Sequence, residues 1–185
     1  MSHDSPPRRL APLFLSLLMA SACGGGDDDS SQPPDATGPS ASCLEAESHS
    51  DLEWIQANIF TRSCAGFSAC HKGNATSAAR LNLEDGNSEG NMVDVLAKSS
   101  PADDLGLVLV TPGDPMASYL MVLIDHDSEG GSYSGPLPED GGTMPYRNPL
   151  MCVQKRRAVE RWIMQLDDGP ADAGPDASAG FGAGR

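Results

Sequence analysis

The stretch Cys64-Ala65-Gly66-Phe67-Ser68-Ala69-Cys70-His71 decides how this chain is interpreted. Its two cysteines enclose five residues, and a histidine follows the second cysteine directly. Taken alone, the pair permits a local disulfide, because two cysteines at this separation can meet. A zinc site that adds Cys152 to these three side chains is a weaker alternative, since the paired ligand spacing typical of zinc sites is missing.

Helical patterns surround this stretch and predict a mainly α domain of about four helices, with long loops and little or no sheet. The first predicted helix begins with a capping box at Ser50-Asp51-Leu52-Glu53 and runs to about Arg62. The other three predicted helices are a short one capped by Asn91, one that begins at Asp114-Pro115, and one from about Val153 to Leu166. Strand-like alternation is confined to Leu107–Val110.

Several segments together resemble class I cytochrome c. Cys70-His71-Lys72-Gly73, with Cys64 before it, resembles the haem-attachment segment of cytochrome-c-like domains in bacterial envelope proteins. Five further segments of this chain resemble later signatures of the same group: Leu81-Asn82-Leu83, Thr111-Pro112-Gly113-Asp114-Pro115, Ser118-Tyr119-Leu120, Gly141-Gly142-Thr143-Met144-Pro145 and Arg161-Trp162-Ile163. The resemblance covers about residues 50–168. It implies that the first and last helices cross, with Ile55 or Ile59 near Trp162.

The resemblance implies haem c as the cofactor. Cys64 and Cys70 would form thioethers with it, His71 would bind the iron from one side, and Met144 would supply the sixth ligand. Met144 stands in a Gly-rich polar loop, where a core methionine is unexpected. His126 is the alternative ligand, weighed against a solvent-exposed histidine. The family's usual motif has two residues between the cysteines, whereas this chain has five.

The implied function is one-electron transfer by a carrier rather than an enzyme, with a redox protein at the membrane or in the periplasm as partner. The sequence contains no nucleophile elbow, phosphate loop or metalloprotease helix motif. The alternative is a haem-free surface lipoprotein of cytochrome fold that acts as a binding or structural module. Its disulfides would be Cys64–Cys70 and Cys43–Cys152, although four cysteines allow three connectivities.

The N-terminal segment predicts export. Arg8 and Arg9 precede the apolar run Leu10–Ala20, whose eleven residues are too few for a membrane-spanning helix, so residues 1–22 are interpreted as a signal peptide. Ala20-Ser21-Ala22 fits ordinary cleavage and also resembles a bacterial lipobox before Cys23. A polar, flexible stretch follows Cys23. Taking Cys23 out of the count of five cysteines leaves four that can pair. We therefore expect a lipid on Cys23 and anchoring in the bacterial cell envelope, at the outer membrane.

Composition divides the mature chain into a domain and two tails. Residues 23–42 and 169–185 are rich in Gly, Asp, Ser and Pro and are interpreted as a linker and a disordered tail, which leaves 43–168 as the cytochrome c-like domain. The formal net charge of −14 disfavours nucleic acid and anionic lipid headgroups as binding partners. It is compatible with a positively charged protein partner.

Overall fold

The computed structural model describes residues 38–139 and 142–166, and these are mainly helical without a sheet. The mainly α prediction is thus confirmed, whereas its cytochrome c-like form stays a prediction. The helices are α1 (Ala41–Glu45), α2 (Leu52–Ile55), α3 (Ser88–Met92), α4 (Tyr119–Ile124) and α5 (Val153–Gln165). The predicted signal peptide, the lipid site Cys23, most of the linker and the C-terminal tail lie outside the described residues. In the described ranges, no helix is both long and apolar enough to cross a lipid bilayer.

Helix α2 begins at a different cap from the predicted one. Asp51, not Ser50, is the N-cap: its Oδ1 accepts a hydrogen bond from the backbone N–H of Trp54 at 2.8 Å. The Ser50 hydroxyl oxygen instead accepts from Nε2 of Gln165 at 2.9 Å. Helix α2 continues directly into a π-helix, Gln56–Cys64, so that the helical chain reaches the first cysteine of the motif.

One of the two later helices begins where predicted, whereas the signal at Asp114-Pro115 starts only a 3-10 turn that an extended Ser118 separates from α4. Asp114 caps the 3-10 turn Pro115–Ala117 by accepting from the backbone N–H of Ala117 at 3.0 Å, and α4 follows this turn. Helix α5 begins at Val153, as predicted. Proline at the first helical position costs nothing, because the N–H that it lacks has no partner inside the helix.

The predicted helix after Asn91 is wrong. Helix α3 ends at Met92, Asp94 adopts a left-handed conformation with φ 56°, and the residues on either side of it pair with the segment 107–110. Val93 bridges to Val110 in parallel, and Leu96 bridges to Val108 in antiparallel fashion. Pairing across the fold therefore overrides the local helical signal, and the strand expected at Leu107–Val110 is reduced to isolated bridges.

The first and last long helices contact each other around one apolar core. The Phe60 ring meets the Trp162 ring edge-to-face with 6.0 Å between centroids, and Ile55 and Ile59 are buried in the same core. Helix α1 also packs against α5. A disulfide joins Cys43 on α1 to Cys152, which precedes α5, with 6.2 Å between their Cα atoms.

Candidate functional site

A backbone hydrogen bond brings the two ends of the motif together. The N–H of His71 donates to the carbonyl oxygen of Cys64 at 3.0 Å. With two residues between the cysteines, the histidine would stand four residues after the first one, where an α-helical turn makes this same bond. Here Ala65 stays buried in the core, the other four intervening residues, 66–69, fold outward as a loop, and Phe67 is 50% exposed. The longer spacing therefore leaves Cys64 and His71 adjacent.

The loop has a defined conformation. A Cβ at Gly66 would lie 2.6 Å from the carbonyl oxygen of Arg62, so only glycine fits this close approach. The N–H of Cys70 donates to the carbonyl oxygen of Phe67 at 3.0 Å, and the hydroxyl of Ser77 donates to that of Ala69 at 2.7 Å. The loop thus closes on itself and is braced by the neighbouring 3-10 turn, Thr76–Ala78.

The two cysteines of the motif have different states. Cys64 carries a free thiol, is partly buried and packs against the apolar core, and burial raises its pKa to about 12. Cys70 is buried and takes part in a disulfide, but not with Cys64. The local Cys64–Cys70 disulfide of the haem-free alternative is therefore not formed, because Cys64 is a free thiol while the sulfur of Cys70 is bonded elsewhere.

His71 has a buried ring nitrogen that is available to a ligand. Its Nδ1 is buried and has no hydrogen-bond partner. Burial lowers the pKa of His71, and the nearby Leu81 backbone opposes only part of this effect. The imidazole is therefore neutral at pH 7 and keeps a lone pair for a metal. The N–H of Leu83 donates to the His71 carbonyl oxygen at 2.8 Å and fixes the backbone on the far side of the motif.

His126 does not fulfil either of its expected roles. It is 8% exposed, so the prediction of a solvent-exposed histidine is wrong. Its Nε2 lies 3.0 Å from the carbonyl oxygen of Gly135 and therefore donates, which makes Nδ1 the acceptor for the N–H of Ser128 at 3.1 Å. Both ring nitrogens are used within its own loop, so His126 has no lone pair left for iron.

A buried glutamine, which sequence reasoning missed, holds the segment after the motif. Gln56 donates through Nε2 to the carbonyl oxygen of Leu83 at 2.9 Å and accepts from the hydroxyl of Ser88. These bonds connect the π-helix to Leu83, whose N–H donates to the carbonyl oxygen of His71, and to α3. The signal was present, because Gln56 stands four residues from both Leu52 and Phe60 and so falls on the buried helix face.

Met144 approaches the core from another element. Its backbone N–H donates to the carbonyl oxygen of Leu123 in α4 at 2.7 Å, and its side chain is partly buried against the core. The loop that carries it also lines an open cleft of about 400 Å³, whose lining residues include Thr143, Arg147 and Glu129. Met144 is thus placed by α4, whereas His71 is placed by the loop after the π-helix.

The chemical types of these donors match haem c on one condition. A thiol at Cys64, a neutral imidazole with an orphaned nitrogen at His71 and a thioether at Met144 are the groups that such a haem requires. The condition is that the sulfur of Cys70 is released from its disulfide. The zinc alternative receives no support, since the described part of the chain has no cluster of three His, Cys, Asp or Glu side chains suited to a metal ion.

Comparison with known proteins identified no relative of this chain. No protein-family model matched it, and neither a curated protein nor a solved structure did so. The interpretation of the site therefore rests on its own residues and on the segments that resemble class I cytochrome c.

Proposed function

We propose that this protein is an exported c-type cytochrome, anchored by a lipid on Cys23, that carries single electrons. The observation that supports this best is the hydrogen bond from His71 to Cys64, which keeps cysteine and histidine together despite the long spacing. Cys64 and Cys70 would hold the haem, and His71 and Met144 would bind its iron. When bound, haem supplies a centre that gains and loses one electron without binding a substrate.

The chain's own residues would set the environment of the iron. His71 enters as a neutral imidazole, because burial lowers its pKa. A methionine ligand would raise the reduction potential. The buried Phe60, Leu83 and Tyr119 would exclude water from one side of the cofactor. The protein would then act as a carrier that exchanges electrons with a redox protein at the membrane or in the periplasm.

Haem attachment requires both motif sulfurs as thiols. Cys64 already carries one, whereas Cys70 is held in a disulfide. A dithiol reductant, itself oxidised to a disulfide, would therefore have to reduce that bond to two thiols before attachment. The expected mature protein has neither a free thiol at Cys64 nor a disulfide at Cys70.

The test is an optical spectrum of the full chain, isolated from its native membrane and measured in denaturant with pyridine, oxidised and reduced. We expect a haem band that stays with the chain. His71→Ala should abolish the low-spin spectrum of the native protein, whereas the matched control His49→Ala should not change it, because His49 stacks on Trp54 away from the motif. A chain without haem, with the Cys64 thiol free by mass spectrometry, would contradict the proposal.

One observation favours a second candidate, the haem-free surface lipoprotein that acts as a binding or structural module. The apolar residues expected around a haem are closed against one another: Phe60, Leu83 and Tyr119 are 1%, 2% and 2% exposed. The Cys43–Cys152 disulfide would staple this core. Under this function, the fold should survive His71→Ala almost unaltered.

A further inference from the structure

Two side chains of opposite charge line the open cleft of about 400 Å³ beside the Met144 loop. Glu129 belongs to the 3-10 turn Asp127–Glu129, whereas Arg147 belongs to the loop that follows Met144. Both side chains are exposed, and no ion pair joins them to each other or to another residue that the structure describes. The cleft therefore offers a cation and an anion that are both open to a ligand.

An aromatic ring, rather than an acidic side chain, holds Arg147 in place. Its Cζ lies 4.9 Å from the centroid of the Tyr146 ring. A cation over the face of a ring is held without the use of its N–H donors. The planar fork of N–H groups on a guanidinium matches a carboxylate, to which it can donate two parallel hydrogen bonds. Arg147 is thus placed to accept a carboxylate group from a ligand.

The backbone fixes the same end of the cleft. Arg147 has a φ of 58°, a left-handed conformation that a residue with a Cβ rarely adopts. Around it, the N–H of Asn148 donates to the carbonyl oxygen of Pro145 at 3.1 Å, and Nδ2 of Asn148 donates to that of Tyr146 at 3.0 Å. The Oδ1 of Asn148 and the hydroxyl of Thr143 make no hydrogen bond with a described residue, and both residues line the cleft. Neutral hydrogen-bonding groups therefore accompany the two charges.

We infer that this cleft binds a short zwitterionic peptide, with its carboxylate on Arg147 and its terminal ammonium on Glu129. A volume of about 400 Å³ lies in the range of small-ligand sites, roughly 300 to 1,000 Å³. The formal net charge of −14 repels a free anion and Arg147 repels a free cation, whereas a zwitterion has no net charge. Asn148 and Thr143 provide partners for the peptide group between the two charges. The inference goes beyond the proposed function, because no residue proposed to hold haem lines the cleft.

The test is a ligand-observed NMR titration of the full mature chain with glycylglycine, for which we expect saturable binding. N-acetylglycylglycine lacks the ammonium group and glycylglycinamide lacks the carboxylate, so each should bind about tenfold more weakly. Free glycine has both charges but no peptide group, and it should also bind more weakly than the dipeptide.

Substitutions locate the binding in the cleft. Arg147→Gln and Glu129→Gln should each weaken the binding of glycylglycine about tenfold. Arg80→Gln is the matched control for the first variant, since Arg80 is also an exposed arginine with a positive φ, 59°, but lies outside the cleft. Glu89→Gln is the matched control for the second, at an exposed glutamate outside the cleft. Both controls should leave the affinity within about twofold of wild type.

Three outcomes would overturn the inference. Equal affinity for glycylglycine and its N-acetyl form would show that Glu129 does not contact an ammonium group. Equal affinity for glycine would show that the cleft does not recognise a peptide. No binding of glycylglycine, or equal losses for Arg147→Gln and Arg80→Gln, would show that the cleft is not a peptide site. The pyridine spectrum of the same samples keeps the two proposals apart, because a haem-free chain that binds glycylglycine contradicts only the electron-transfer proposal.

Discussion

Burial shifts the pKa values of Cys64 and His71, which a backbone hydrogen bond joins, in opposite directions. It raises the pKa of the Cys64 thiol to about 12 and lowers the pKa of the His71 imidazole. Both shifts have one cause, which is that a low-dielectric environment disfavours the charged form of each group. Both side chains are consequently neutral at pH 7, so the core accommodates them without a counter-ion.

The raised pKa of Cys64 predicts that its thiol reacts slowly in the native protein. At pH 8 about one thiol in 10⁴ would be ionised, whereas an exposed cysteine with a pKa near 8.5 is about a quarter ionised. We therefore expect the haem-free chain to react with an aromatic disulfide reagent roughly a thousandfold more slowly when native than in denaturant. Cys64→Ser should remove the reaction in both states. Rapid reaction of the native chain would show that Cys64 is not held against the core.

At the scale of single elements, the helix caps show which predictions local sequence can support. The cap at Asp114-Pro115 is predicted correctly because the carboxylate and the proline act within one turn, but that turn is a 3-10 turn and α4 itself begins only at Tyr119. At α2, two possible caps are adjacent, and the structure uses Asp51 while Ser50 contacts α5 through Gln165. The choice depends on a distant residue, which a local pattern does not contain.

This choice predicts unequal effects of two neighbouring substitutions. Asp51→Ala should lower the free energy of unfolding by about 1 kcal/mol, since it leaves the N–H of Trp54 without its side-chain partner. Ser50→Ala should cost at most roughly half as much, because it removes only an exposed bond to Gln165. Urea unfolding of both variants measures the difference. A larger cost for Ser50→Ala would restore Ser50 as the cap.

The loop after α4 is held to α5 by a group that titrates in acid. The Tyr133 hydroxyl donates to Oε1 of Glu160 at 2.7 Å, and Arg157 donates to Oε2 at 2.5 Å. Burial by itself would raise the pKa of Glu160, but these hydrogen bonds outweigh it and hold the pKa below its usual value of 4.5. A carboxylate with a lowered pKa in the folded state stabilises the fold at neutral pH, and this contribution is lost as the pH falls through the folded-state pKa.

Glu160→Gln should therefore flatten part of the acid dependence of stability. The wild-type free energy of unfolding should fall between about pH 5 and about pH 3, with roughly 1 kcal/mol or less of that fall due to Glu160. Glu45→Gln, at an exposed position on α1, is the matched control and should leave the slope unchanged. Equal slopes for wild type and Glu160→Gln would contradict the assignment.

In the site, as in the helices, sequence reasoning fails where the role of a residue depends on a partner distant in the chain. Cys64, Cys70 and His71 are recognisable because their chemistry requires adjacency in the chain. The wrong helix after Asn91, the buried state of His126 and the role of Gln56 each depend on partners that the local pattern does not identify. The local pattern does not identify the backbone hydrogen bond between His71 and Cys64 either, since it forms only when the loop between them folds outward.

At the scale of the whole molecule, one covalent bond closes almost the entire described chain. Cys43 and Cys152 are separated by 109 positions, and their disulfide joins α1 to the start of α5. Between them the structure relies on short helices, turns and isolated bridges. A cross-link of this length restricts the unfolded chain strongly, because the entropy lost by closing a loop grows with the number of residues enclosed.

Removal of this bond should therefore destabilise the protein through its unfolded state. The double variant Cys43→Ser, Cys152→Ser should lose about 2 to 4 kcal/mol of unfolding free energy in urea, with little change in its native circular dichroism. In the haem-free chain a reductant also acts at the Cys70 disulfide, so the haem-free double variant with and without reductant separates the two contributions. If the double variant unfolds at the same urea concentration as wild type, the packing of α1 and α2 on α5 holds the ends together without the cross-link.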